Sequence, residues 1–408
     1  MSQPWRAALA RRSGFIQKET DLSQQSHFRF EPFPQSSALM ALRKEVRIFL
    51  GDEEKQGSWA PGPEGWAGFD RGFSKRLAAR GWVGMTWPKK YGGHERTAME
   101  RHVVTEELLS AGAPVRAHWV ADRQSGPVLL RFGTERQREL YLPRIAKGEC
   151  TFCIGMSEAG SGSDLASVRT RAVPVEGGWR VSGAKLWTSN AHRAHMMILF
   201  ARTASVEEDR RGGVSQFLVD LQSPGITING IQNLAGESDF NEVVFDEVFI
   251  PEDMLIGTVG NGWNQVSSEL TYERSGPDRW LSTYFLLRQL VAHTARKRGG
   301  SSHVATGRLV AHLWTLQRMS LSIAGMLQKG VTPYTEAALV KDLGTGFERE
   351  IPDIARMVVP ELARLGADRN GVLQAALERA TLHAPSFSIR GGTREILRGI
   401  IAKSMGMR

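Results

Sequence analysis

Cysteine is nearly absent: two residues in 408, Cys150 and Cys153, in C-x-x-C spacing. No second ligand pair accompanies them, so the spacing alone does not make a zinc site. Positions three apart on an extended segment face opposite ways, which opposes a disulfide; reduced packing thiols are the expectation. No apolar run approaches the roughly 18 residues of a membrane span, and no apolar core precedes a small-residue cleavage site. A cytoplasmic protein without a membrane partner is therefore expected. The first 20 residues are basic (Arg6, Arg11, Arg12 and Lys18 against Glu19) and read as an extension, with a transit peptide as the alternative. Internal repeats and low-complexity segments are missing.

Acidic residues are also missing from one long stretch. Between Arg279 and Thr335 there is no Asp or Glu, whereas Arg279, Arg288, Arg296, Lys297, Arg298, Arg308, Arg318 and Lys329 supply eight cations. This segment carries nearly the whole formal excess of +9. Three readings stay open: a solvated helical face, a surface that meets the phosphates of a bound nucleotide, or a nucleic-acid surface.

What is present organises the chain into blocks. With 41% hydrophobic residues the chain can bury a large core and divide into two or three domains. Leu39, Leu42, Val46, Phe49 and Leu50 recur at helical steps, and helical spacing continues to about Gly148, broken at Pro61-Gly62-Pro63 and Tyr91-Gly92-Gly93. From Thr151 to about Gly257 the period shortens: Trp179–Ser182, Met196–Phe200, Ser215–Val219 and Glu242–Phe245 read as strands. From Gly262 onwards helical spacing returns. Helix, sheet and helix in blocks imply separate layers. The expected division is an extension over 1–36, a helical domain over 37–150, a β-domain over 151–258 and a second helical domain over 259–408.

The most informative stretch is Met156-Ser157-Glu158-Ala159-Gly160-Ser161-Gly162-Ser163-Asp164. Its glycines let a ligand approach the backbone, and its hydroxyls and amides suit phosphate or heterocycle oxygens. Such loops are common, but here Trp187-Thr188-Ser189-Asn190 and Gly391-Gly392-Thr393-Arg394-Glu395-Ile396 follow in order. In this order the segments resemble the acyl-CoA dehydrogenases. That family's flavin loop usually reads T-E-P-G-A-G-S-D and its strand motif W-I-T-N. Gly81-Trp82 with Trp87-Pro88-Lys89-Lys90-Tyr91-Gly92-Gly93, and Asn241 to Pro251, also resemble family elements, so the match runs from about Ser37 to Met407.

The resemblance implies a mostly α protein with a central β-domain: an N-terminal helical domain, a middle β-barrel-like domain and a C-terminal four-helix bundle. It implies FAD as cofactor, an acyl-CoA substrate, an electron-transfer flavoprotein as acceptor, a role in lipid or related acyl-CoA oxidation, and a homodimer or homotetramer. For the cofactor it points to Ile154, Met156, Ser157, Gly162, Ser163, Trp187, Thr188, Ser189, Gly392, Thr393 and Glu395, and to Arg298 across a subunit boundary. Ser163 and Arg274 fall where the family meets substrate.

Desaturation needs a carboxylate base for the α-proton and donors for the thioester oxygen. It also needs a hydride acceptor, which the flavin provides. In many members the base precedes the C-terminal G-T. Here that position is Gly391, which is left to offer its backbone N–H to the thioester. A minority of the family places the glutamate on a C-terminal-domain helix before an arginine, and Glu273-Arg274 resembles that arrangement. Pro277, four residues on, denies the Glu273 carbonyl its helical partner and should bend or open the helix. The vacated side chain at Gly391 leaves room for a branched, cyclic or bulky acyl group.

Two family elements are missing. Arg298 is followed by Gly299-Gly300-Ser301-Ser302 without the usual Phe-Gly, and Gly344-Thr345-Gly346-Phe347 does not match Q-x-x-G-G-x-G. Both serve the cross-subunit half of the cofactor site. The rival readings are accordingly a weakly active subunit of a hetero-oligomer, a DNA-associated relative, and an oxidase.

Overall fold

The computed structural model describes residues 28–205, 210–273, 276–296, 300–360 and 371–407, with side chains except at 269–273. The first block is helical. Ser36 caps α1 (Ser37–Lys55), its hydroxyl accepting from the Leu39 amide at 3.3 Å. Asp70 caps α2 (Arg71–Ala79) in the same way. Full capping boxes open α3 (Ala98–Ala111), through Thr97 and Glu100, and α6 (Glu135–Ala146), through Thr134 and Gln137. Between them lies a helix in two halves, α4 (Arg116–Val120) and α5 (Gly126–Phe132), joined by a π-helical turn at Ala121–Ser125.

The Trp-Pro-Lys-Lys-Tyr-Gly-Gly motif is a packing device. Trp87 is buried, and a Cβ on Gly126 would lie 2.1 Å from its ring. A Cβ on Gly93 would lie 2.3 Å from its carbonyl oxygen. Both positions therefore exclude side chains.

The second block is one sheet of β1 (Phe152–Gly155), β2 (Arg171–Val175), β3 (Gly178–Ser189), β4 (Met196–Arg202), β5 (Val214–Asp220), β6 (Ile226–Ile231), β7 (Phe240–Pro251) and β8 (Leu255–Ile256). Its hydrogen-bonded order is β6-β7-β3-β2-β4-β5-β8, with β1 parallel to β4. Every residue of β4 is buried, which explains its uninterrupted apolar sequence.

Helices return in the third block: α7 (Gly262–Glu273), α8 (Tyr284–Thr294), α9 (Ser301–Gln328), α10 (Tyr334–Val358), α11 (Gly371–Phe387) and α12 (Arg394–Ser404). A 3-10 turn at Pro277–Arg279 follows the end of α7. The expected break at Gly276-Pro277 is thus present.

The first and third blocks share one core. Leu42, Val46, Phe49 and Leu50 of α1 belong to the same buried cluster as Leu316 of α9, Phe347 of α10 and Leu377 of α11. A buried ionic network fastens the seam: Arg43 meets Glu106 at 2.6 Å and also Glu107, Arg47 meets Glu107 at 2.6 Å, and Gln317 of α9 donates to Glu106 at 2.6 Å. Each buried charge has a partner, as a dry environment demands.

Two sequence expectations are refined. Cys150 and Cys153 are buried and not bonded to each other. Burial pushes the Cys150 thiol up to about 11 and raises Cys153 as well, so neither forms a ready thiolate. The acid-free segment is not a single basic surface. Arg279 is buried and paired at 3.0 Å with Asp278, the residue just before the acid-free stretch. Lys329 pairs with Glu31 at 2.7 Å. Arg288, Arg296, Arg308 and Arg318 are exposed, and Lys297 and Arg298 lie outside the described residues. Among the described residues no helix is long and apolar enough to cross a membrane.

Candidate active site

A cleft of about 1940 Å³ opens where the three blocks meet. Sites for one small molecule run to roughly 300–1,000 Å³, so this cleft accommodates two ligands end to end or one extended pair. Its walls come from the α4–α5 region, from the β1–β2 loop with the end of β3, and from α7, α11 and the turn before α12.

The β1–β2 loop is held by a buried charge pair. Lys185 of β3 is fully buried; its ammonium donates to the Met156 carbonyl at 3.0 Å and to the Glu158 carboxylate at 2.7 Å. That carboxylate also accepts the Arg169 and Thr170 amides at 2.7 and 3.0 Å. Burial drags the Lys185 ammonium down to about 8 against the pull of Glu158. For Glu158 burial raises the carboxyl, but Lys185 and the two amides together take it below its ordinary value. The loop is thereby fixed with Ile154, Met156, Ser157, Gly162 and Ser163 on the cleft wall. A Cβ at Gly160 or Gly162 would meet nothing within 4 Å, so these glycines leave an open approach rather than fill a protein contact.

Trp187 stands out on the same wall. It is a non-glycine residue at φ 62°, within a register shift of the β3–β7 ladder between Lys185 and Thr188. Its indole is 55% exposed and meets Phe240 edge-on at 6.1 Å. A left-handed tryptophan stores strain and leaves a large apolar face uncovered, a combination that marks functional positions. Ser189 also lines the cleft. Thr188 does not: it is buried, and its hydroxyl has no hydrogen-bond partner among the described residues.

Opposite lies the turn Arg390-Gly391-Gly392-Thr393, with Gly391 at φ 63° and Gly392 at φ 96°. Two fully buried charges of α10 hold it. Lys341 donates to the Gly392 carbonyl at 2.7 Å, and Glu348 accepts Arg390 at 2.8 Å and the Ser282 amide at 2.8 Å. Arg390 further donates to the Asp278 carbonyl and the Ser282 hydroxyl, at 3.1 and 2.7 Å. The Thr393 hydroxyl caps α12 by accepting from Ile396, which brings a helix N-terminus and Glu395 to the wall. Gly344 packs within α10, where a Cβ would lie 2.5 Å from the Arg279 carbonyl.

Trp263, Val266 and Ser267 put α7 on the cleft. Glu273 is the last residue of that helix, seven beyond Val266; its side chain lies outside the described residues, as do Arg274 and Arg298 entirely. The exposed cations of the acid-free segment are not on the wall. The cationic wall residues lie elsewhere, and sequence reading missed them: Arg116, Arg210, Arg211, Arg379, Arg390 and Lys403. It also missed Gln124, which the π-helical turn carries to the cleft while Asp122 of the same turn accepts the Gly84 amide at 2.7 Å. π-turns inside helices recur at functional sites, but nothing in composition announces one.

Comparison with known proteins adds the following. A family model described as the acyl-CoA dehydrogenase N-terminal domain matches residues 36–149, and one described as its middle domain matches residues 153–248. Acyl-CoA dehydrogenase IpdE1 of Mycobacterium tuberculosis is 32% identical over 372 residues, covering 88% of this chain and 95% of the relative. Acyl-CoA dehydrogenase FadE26 of the same organism is 28% identical, covering 88% and 94%. Among solved structures, the Tcur3481-Tcur3483 steroid ACAD superposes with a TM-score of 0.80 at 26% identity, covering 92% of this chain and 98% of its own. The ChsE4-ChsE5 complex of Mycobacterium tuberculosis gives a TM-score of 0.80 at 26% identity, covering 93% and 99%.

Proposed function

Because this chain belongs to the acyl-CoA dehydrogenase family of oxidoreductases, we propose that it binds FAD and desaturates an acyl-CoA between its α- and β-carbons. The observation that carries this reading is the strained, uncovered Trp187 facing a cleft whose other wall is the Gly391–Gly392 turn. The residues present fit the cofactor. An aromatic face for a flat ring, the open Gly160–Gly162 loop and the N-terminus of α12 suit its ring and pyrophosphate. Bound FAD supplies the two-electron acceptor that side chains lack.

The chain's own residues then have these roles. Glu273 takes the α-proton as a carboxylate, while the β-hydrogen leaves as hydride and the thioester becomes an enoyl thioester. Its place is supported by the cleft-lining helix that it ends: position 273 lies two turns beyond Val266, and the break at Gly276–Pro277 opens the backbone there. Gly391 sits beside the thioester, where the loss of a side chain admits a bulky, ring-bearing acyl group, in keeping with the steroid ACAD to which the chain is similar. Lys341, Glu348 and Arg390 hold that turn in place. Arg274 faces the CoA portion together with Ser163, and Arg298 serves the far side of a subunit boundary. The boundaries at 36, 150 and 258 mark the extension and the three domains.

The protein assembles with at least one further chain and passes its electrons to an electron-transfer flavoprotein. A hetero-oligomer is the assembly favoured over a homotetramer. The absent Phe-Gly and Q-x-x-G-G-x-G elements leave the cross-subunit half of the cofactor site to a different chain, and both structures named above carry two component names.

Anaerobic titration of the yellow protein, with its partner chain, against a panel of acyl-CoA thioesters tests the reading. Bleaching of the flavin band by a cyclic acyl-CoA is expected, and Glu273→Gln should abolish bleaching while the cofactor stays bound. Undiminished bleaching in the variant eliminates Glu273 as the base, and a protein that takes up no FAD in either assembly eliminates the reading.

A further inference from the structure

The wall of the cleft between α4 and the Gly391 turn carries guanidinium groups whose donors are not all used. Arg379 is satisfied: both of its terminal nitrogens meet Glu237. Arg116 makes a single contact, Nη1 to Asp239 at 2.7 Å, leaving Nε and Nη2 without partners among the described residues. Arg390 directs Nη2 to Glu348, Ser282 and the Asp278 carbonyl, leaving Nε and Nη1 without hydrogen-bond partners among the described residues. Both side chains are largely buried, at 20% and 28% exposure, and both line the cleft.

These two cations also sense each other. Burial pulls the Arg390 guanidinium below its ordinary value, Glu348 works against that, and Arg116 is among the groups adding to the fall. Flat aromatic surface lies alongside: Arg390 sits over the Trp66 ring at 5.9 Å, and Trp66 meets Trp119 of α4 at 5.3 Å. An all-hydrocarbon acyl group that displaced water here would leave charged donors unpaired in a dry site, which is heavily penalised. A site built around such donors discriminates strongly against an analogue lacking the matching acceptor.

We infer that the acyl group accepted by this cleft carries an acceptor oxygen, set on its skeleton away from the thioester and bound by Arg116 and Arg390. This rests on the cleft being the acyl-CoA site. The guanidinium groups offer donors to a ketone, hydroxyl or carboxylate. Arg116 and Arg390 are thus specificity-determining residues, distinct from the groups that handle the α-proton and the hydride.

The test is calorimetric binding of paired thioesters to the FAD-loaded assembly: 3-cyclohexylpropanoyl-CoA against its 4-oxo derivative, and octanoyl-CoA against its ω-carboxylate analogue. The oxygen-bearing member of at least one pair should bind roughly ten- to a hundredfold more tightly, the value of one hydrogen bond to a charged group. Which pair shows the preference separates a neutral from an anionic oxygen. Arg116→Gln and Arg390→Gln should each narrow that preference, and Arg116→Lys should restore part of it. Equal or weaker binding of both oxygenated thioesters to the native protein overturns the inference. A binding preference without flavin bleaching would sustain it and defeat the dehydrogenase reading instead; bleaching by all four thioesters with equal affinity would do the reverse.

Discussion

Glu158 and Lys185 offer the sharpest test of how the loop over the cleft is held. Lys185 is fully buried and the Glu158 side chain is 10% exposed, so solvent screens the pair little. Removing one partner of a buried pair costs about 3–5 kcal/mol, because the survivor is left charged in a dry place or must neutralise. In Glu158→Gln the Lys185 ammonium, already lowered to about 8, loses the group that opposes its burial and drops further. The carboxylate also accepts the Arg169 and Thr170 amides, and a Gln side chain has one acceptor oxygen for the two. Hydrogen exchange read at those two amides reports the loop directly. A local loss of about 3 kcal/mol appears there as roughly a hundredfold faster exchange. In a double-mutant cycle with Lys185→Met, the variant carrying both changes should be more stable than Glu158→Gln alone, since it leaves no orphaned ammonium. Unchanged exchange at Arg169 and Thr170, or simple additivity in the cycle, would show that the pair does not hold the loop.

Two other outcomes follow from named groups. Burial pushes the His102 and His118 imidazoles down to about 4 from the ordinary 6.5. Between those values the unfolded chain binds protons that the folded chain refuses, so the stability is complete above pH 6.5 and is lost as pH falls toward 4, by on the order of 3 kcal/mol for each imidazole. Urea midpoints measured from pH 7 to 4.5 should fall, and a His102→Asn, His118→Asn double variant should flatten the fall; an identical slope in the variant would refute the assignment. Trp187→Asn relieves a left-handed tryptophan at a residue type that tolerates that conformation. The cofactor-free protein should keep or gain up to about 1 kcal/mol, while the FAD dissociation constant rises at least about tenfold. A matched loss of both would make Trp187 a packing residue.

The blocks of secondary structure are legible because periodicity changes cleanly at Thr151 and again near Gly262. The loop at 156–164 and the turn at 391–393 are legible because glycines and hydroxyls mark them. What stays hidden depends on contacts between distant segments. Lys185 looks like a polar residue on a strand, and only the fold turns it inward beneath a glutamate 27 positions earlier. Thr188 sits between two wall residues yet faces the interior, because strand alternation resumes after the register shift at Trp187. Arg116 and Asp239 are 123 positions apart. The basic segment misleads for a plainer reason: counting from Arg279 leaves out the adjacent Asp278, which cancels the first charge.

The shared interior of the first and last blocks has a consequence for synthesis. Side chains of α1 pack on α3, but α3 in turn packs on α9, and Gln317 of α9 closes on Glu106 of α3 across 211 positions. On the ribosome the opening helices therefore emerge long before the surface that will cover them has been translated. Such distant pairings are slow to close and leave oily faces bare in the meantime. The nascent polypeptide is thus a natural client for holdases, and versions shortened at the carboxyl end should precipitate rather than yield a smaller soluble body.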